Sequence, residues 1–97
     1  MATYLLLGNF TEQGLGAVKD TTKRAEALSK IGKKTGVTVK ETFWTLGQYD
    51  VAVILDAPDD ASVTAFGLSV GKLGNVRTQT LRAFTAEEME RILGKIA

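Results

Sequence analysis

The chain reads as an α+β domain: a split βαβ sheet of four antiparallel strands, two helices on one face, and a further helix at the C-terminus. Three observations predict it. Apolar runs of strand length alternate with helical periodicities in the order β-α-β-β-α-β-α. Glycine, proline and Asp/Thr caps stand where those runs should end. Finally, 97 residues, 44% of them hydrophobic and 24% charged, suit one core, so residues 1–97 are expected to form a single domain.

The first strand is Thr3 to Gly8 (Thr-Tyr-Leu-Leu-Leu-Gly), a short apolar run closed by Gly8-Asn9. Thr11-Glu12-Gln13 caps a helical turn that Gly14 and Gly16 keep short, because each glycine disfavours a helix by about 1 kcal/mol relative to alanine. Asp20, Thr21 and Thr22 are cap residues for the next helix. Its apolar stripe is Ala25, Leu28 and Ile31, its basic end is Lys33-Lys34, and its left-handed exit is Gly36. Val37 to Leu46 is β-branched and aromatic, and Phe43-Trp44 breaks its alternation, which predicts either a bulge near Glu41 or cover on both faces there. Gly47-Gln48-Tyr49 turns the chain into a hairpin with Asp50 to Ala57, and Pro58 ends that strand.

Asp59 and Asp60 then cap a helix to about Lys72. It carries two apolar stripes, Ala61-Ala65-Leu68 and Val63-Phe66-Val70. With Gly67 and Gly71 four apart, they predict close packing on more than one side. Val76 to Phe84 is the last strand. Thr85 with Glu88 forms a capping box, and Met89, Ile92, Leu93 and Ile96 make one apolar face of a terminal helix.

Right-handed crossovers place both long helices on the same face of the sheet and leave the other bare. The first strand is apolar on both faces, with Tyr4 and Leu6 alternating with Leu5 and Leu7, and Val51 to Leu55 likewise. A bare apolar face needs a partner, and a second copy is the expected one, giving a homodimer or higher homo-oligomer. An RNA-binding sheet of this topology would carry aromatics on neighbouring central strands among basic residues. Here only Tyr4 stands on the first strand, and the last has none before Phe84.

Composition narrows the chemistry further. With no cysteine and no histidine, disulfides, thiolate catalysis, Ser-His-Asp catalysis and nearly every structural zinc site are excluded. A net charge of +1 provides no bulk field toward nucleic acid or anionic lipid, and Lys30, Lys33 and Lys34 read as a solvated helix end. Tyr4-Leu5-Leu6-Leu7 is too short for a signal or membrane segment, so no membrane association is expected and a cytoplasmic setting is the reading. Gly67-Leu-Ser-Val-Gly71-Lys72 is one residue short of a phosphate loop and lies in a helix. Asp59 and Asp60 point about 100° apart in a helix and serve as caps. No metal or other cofactor is expected.

What remains is a constellation in the hairpin, Trp44, Gly47, Gln48, Tyr49 and Asp50, expected to face Arg77, Thr78 and Gln79 on the last strand. Tyr, Asp and Arg are the proton-transfer and charge-stabilising groups left once His and Cys are absent. Gly47 and Asp50 are assigned to turn geometry, and Trp44, Tyr49, Arg77 and Thr78 are candidates for ligand contact.

These residues also carry a resemblance. Gly47, Tyr49 and Asp50, with Trp44-Thr-Leu-Gly-Gln-Tyr-Asp50, Tyr4-Leu-Leu-Leu-Gly-Asn-Phe-Thr-Glu-Gln-Gly14, Ala57-Pro-Asp-Asp60 and Leu73-Gly-Asn-Val-Arg-Thr-Gln-Thr-Leu-Arg-Ala-Phe84, resemble the GYD domain family across nearly the whole chain. The resemblance implies a ferredoxin-like domain of the dimeric α+β barrel type and no particular reaction. Three function classes therefore stay open. The chain is a structural or small-ligand-binding homo-oligomer, a cofactor-independent enzyme of isomerase or oxygenase type on a small organic substrate, or a metabolite-sensing or complex-forming regulatory protein.

Overall fold

A computed structural model describes residues 1–97. The elements are β1 (Ala2–Phe10), α1 (Glu12–Gly16), a 3-10 turn (Val18–Asp20), α2 (Thr21–Thr35), β2 (Thr38–Trp44), β3 (Val51–Ala57), α3 (Asp60–Gly71), β4 (Val76–Ala83) and α4 (Ala86–Leu93). The four strands form one antiparallel sheet in the order β2-β3-β1-β4. This is the α+β, ferredoxin-like arrangement that the element order predicts.

Local chemistry sets the boundaries. Thr11 accepts from the Gly14 amide at the start of α1, and α1 ends at Gly16. Asp20 precedes α2 without a side-chain capping bond, because the chain runs straight in from the 3-10 turn. Gly36 leaves α2 with φ +80°. The β2–β3 register shifts between Val39 and Glu41, so of the two explanations for Phe43-Trp44 the bulge is the one present. β2 stops at Trp44 rather than Leu46, whose side chain is fully exposed in the turn. Asp59 accepts from the Ser62 amide at 2.8 Å and caps α3, and that hydrogen bond holds its carboxyl below the ordinary range. The capping box at α4 is complete.

The core lies between the sheet and the α2–α3 layer. Tyr4, Leu6, Val53 and Leu55 point from β1 and β3 into it, and Val63, Phe66 and Val70 meet them from α3. The second α3 stripe departs from the expectation of packing on two sides. Ala61, Ala65 and Leu68 are exposed, and a Cβ at Gly71 would touch nothing within 4 Å. The close glycine contact lies elsewhere. A Cβ at Gly14 would fall 1.9 Å from the Asn75 carbonyl oxygen, so α1 sits directly on the loop between α3 and β4. Thr11 reinforces that junction, its amide donating to Asn75 and its hydroxyl to Gly74. No helix is long and apolar enough to cross a membrane.

Candidate functional site

Pairing across the sheet assigns every strand residue to a face, because directly opposed residues project to the same side. Leu5 opposes Ile54 and Leu81, and Ala52 opposes both Leu7 and Phe43. These residues therefore lie together on the side away from the helices. Nothing covers them, and Phe43 and Leu81 are 49% and 39% exposed. The charged residues on this face are Glu41, opposite Ile54, Arg77, opposite Asn9, and Asp56, opposite Thr3, which Lys40 reaches at 3.7 Å.

The Thr45–Asp50 turn closes one end of that face. Gly47 takes φ +114°, a conformation that disfavours any residue with a Cβ, although open space surrounds it. The Thr45 amide donates to the Asp50 carbonyl at 2.9 Å, and the Thr45 hydroxyl to the Tyr49 carbonyl at 2.5 Å. The Asp50 amide donates to Gly8, while its carboxylate accepts from the Phe10 amide at 2.9 Å. Phe10 lies beyond the last β1–β3 pair, Gly8 with Val51, so Asp50 supplies the acceptor that the ladder no longer offers there.

The candidate ligand residues fall in three places. Tyr49 reaches across β1, its hydroxyl donating to Gln79 at 2.6 Å on the uncovered side. Arg77, opposite Asn9, stands on the same side and forms no ion pair. Trp44 lies on the other side of the sheet, where its indole N–H donates to the Thr21 hydroxyl at 3.0 Å. There it borders an apolar cavity of about 70 Å³ between α2 and the sheet, with Leu6, Leu28 and Val53. Thr78, opposite Gly8, faces the helices too, but in a separate groove of about 730 Å³ between α3 and β4.

The expected single constellation is thus corrected. β1 and β3 separate β2 from β4, so Trp44 cannot face Arg77 or Thr78, and only the long Tyr49 side chain spans the gap to the last strand. No group of three or more acidic side chains converges where a metal ion could sit.

A polar cluster that the sequence reading passed over borders the α3–β4 groove. The Tyr4 hydroxyl donates to Asp60 at 2.6 Å. That bond, with burial behind it, raises the phenol above its ordinary value of 10.0. Arg82 lies over the Phe84 ring at 4.5 Å and the Tyr4 ring at 5.6 Å, and it donates to Glu88 at 3.1 Å. Glu88 also accepts from the Thr85 amide. That bond first, and Arg82 second, hold its carboxyl down at about 2. The signal was an arginine and an aromatic two apart in the Val76 to Phe84 pattern, although β4 itself stops at Ala83.

Fold and faces together define a small α+β domain with helices on one side of its sheet and an apolar, uncovered surface on the other. The chain belongs to the GYD domain family, whose model matches residues 4–93. Among proteins of described role it is similar to the glutamine synthetase and cystathionine beta-lyase binding protein of Thermus thermophilus. The two are 29% identical over 90 residues, which cover 92% of this chain and 95% of that protein.

Proposed function

We propose that this chain is a cytoplasmic, non-catalytic protein-binding domain that works as a homodimer or higher homo-oligomer, sheet against sheet in the barrel manner. The uncovered apolar face carries the reading. The accessible surface is 6553 Å². A compact monomer of 10.4 kDa exposes about 5,400 Å², which leaves an excess of about 1,150 Å². A standard interface takes about 800 Å² from each partner. The description of the Thermus thermophilus relative as a binding protein for two enzymes supports the protein-binding half of the proposal.

The test is sedimentation equilibrium of the full chain at micromolar concentration. A mass of at least twice 10.4 kDa is expected, and a lone 10.4 kDa species would overturn the reading. Leu5→Lys should dissociate the assembly while leaving the fold intact. Its ammonium is solvated in the single chain but stranded without a partner between two sheets.

A second reading, small-ligand binding with or without cofactor-independent catalysis, draws on one feature. Tyr49, Gln79 and the unpaired Arg77 lie together at the edge of the surface that self-association would enclose. Binding of a small anionic or phenolic compound, lost in Arg77→Gln and Tyr49→Phe without change of mass, would favour it.

A further inference from the structure

The two long helices do not pack on the sheet alike. Val63, Phe66 and Val70 of α3 are buried, whereas the stripe of α2, Ala25, Leu28 and Ile31, is only half-buried. Near the C-terminus of α2 a Cβ at Gly32 would fall 2.4 Å from the Val37 carbonyl oxygen, so that end is seated directly on the chain entering β2. Toward the N-terminus the stripe begins with the small Ala25, which lines the apolar cavity of about 70 Å³. A single water needs about 10–15 Å³, so this space takes a chain of about four or five carbons. Leu6, Val53, Val70 and Leu28 make its lining almost wholly hydrocarbon.

The rim of the cavity is built differently. Trp44 stands there 43% exposed, its indole N–H held by the Thr21 hydroxyl at 3.0 Å. Arg24 is the one charged residue lining the cavity. Its guanidinium donates to the Ala17 and Gly14 carbonyls, at 2.6 and 3.1 Å, and forms no ion pair. Neutral carbonyls leave its charge uncompensated, and no carboxylate lines the cavity to balance it. Arg24, the Trp44 indole and the Thr21 hydroxyl can all donate, so this rim favours an acceptor that carries negative charge.

We propose that this cavity is a binding site for a small aliphatic carboxylic acid, its chain of about four or five carbons beneath α2 and its carboxylate against Arg24. The site lies on the helix-covered side of the sheet, so it does not depend on the self-association proposed above.

Trp44 is the single tryptophan of the chain, and its emission therefore reports on the rim. The probe is isocaproate, titrated into the full chain at neutral pH, with isocaproamide and acetate as controls. A saturable change in emission is expected, with the amide binding at least tenfold more weakly and acetate giving no saturable effect. The methyl resonances of Leu6, Leu28 and Val53 should shift with the acid. Ala25→Leu fills the cavity and keeps helix propensity, so its melting temperature should hold or rise while its response to isocaproate disappears. If that variant does not fold, Leu28→Phe makes the same comparison. No saturable response in the unaltered chain overturns the proposal. A response that survives in a folded, filled variant overturns it too, because the ligand then sits elsewhere. Equal affinity for acid and amide refutes the carboxylate and with it the part given to Arg24.

Discussion

Asp50, the last of the three residues that give the family its name, offers the sharpest test of what the turn is for. Its carboxylate accepts from the Phe10 amide at 2.9 Å in a half-buried site where the β1–β3 ladder has ended. Asp50→Ala removes that acceptor and leaves the amide to whatever water can reach it. A hydrogen bond to a charged group contributes about 1.5–3 kcal/mol, and partial exposure puts this one near 2. Asp50→Asn keeps a neutral carbonyl oxygen at the same reach and should lose only about 1 kcal/mol. In a domain of this size 1 kcal/mol moves the melting temperature by roughly 4–8 °C. The expected drops are therefore roughly 4–8 °C for the asparagine and about twice that for the alanine. Thermal melts followed by circular dichroism at one fixed protomer concentration make the comparison, since association would otherwise shift both. Tyr49→Phe serves as the contrast. Its bond to Gln79 is exposed, so removing it should cost less than about 0.5 kcal/mol. Melts of both Asp50 variants within error of the unaltered chain would refute the argument and with it the assignment of Asp50 to the structure of the turn.

Other substitutions probe different parts of the molecule. Gly14→Ala places a Cβ against backbone that cannot swing aside, so it should lower stability by about 2–3 kcal/mol in urea titrations, whereas Gly16→Ala, with open space around it, should not. The depressed Glu88 carboxyl makes the α4 junction pH-dependent. Its folded value of about 2 lies below the ordinary 4.5, so its contribution is present above about pH 4.5 and is lost as the pH falls toward 2. The difference in melting temperature between the unaltered chain and Glu88→Gln should accordingly shrink over that interval. A difference that stays constant from pH 5 to 2 would contradict the assignment.

Elements marked by short-range chemistry were legible in the sequence. The Thr85–Glu88 box, the Gly36 exit and the disrupted alternation at Phe43-Trp44 each depend on residues within a few positions of one another, and each appears where its pattern falls. What depends on neighbours far along the chain was not legible. Alternation states which face a residue occupies but not which strands lie side by side. The hairpin was therefore set opposite the last strand, when β1 in fact intervenes. The α3 glycines suggested close contact because their spacing is local and visible. The tightest contact that requires glycine joins Gly14 to Asn75, residues with no shared pattern. The candidate site suffered the same way. Trp44, Tyr49 and Thr78 are each placed by a different long-range partner: Thr21, Gln79 and the α3 groove.

The composition of β1 bears directly on assembly. A strand in an antiparallel sheet with one solvated face ordinarily alternates apolar with polar residues. In β1 the positions facing the helices are Tyr4, Leu6 and Gly8, as that rule requires, but the opposite positions hold Leu5 and Leu7 where it calls for polar residues. Ile54 on β3 and Leu81 on β4 continue the exception to either side, so it crosses from the central strands β3 and β1 onto the edge strand β4. A polar side chain at Leu5 or Leu7 would cost the single chain little, since neither supports its core. Four aliphatic residues aligned across three paired strands are therefore better accounted for by a surface that meets another apolar surface than by the needs of the monomer. The Gly47–Asp50 turn borders that surface, with Tyr49 bonded across it to Gln79. On this reading the family's motif braces the end of an interface: Asp50 fastens the turn to β1, Tyr49 fastens it to β4, and Gly47 permits the bend that lets both reach.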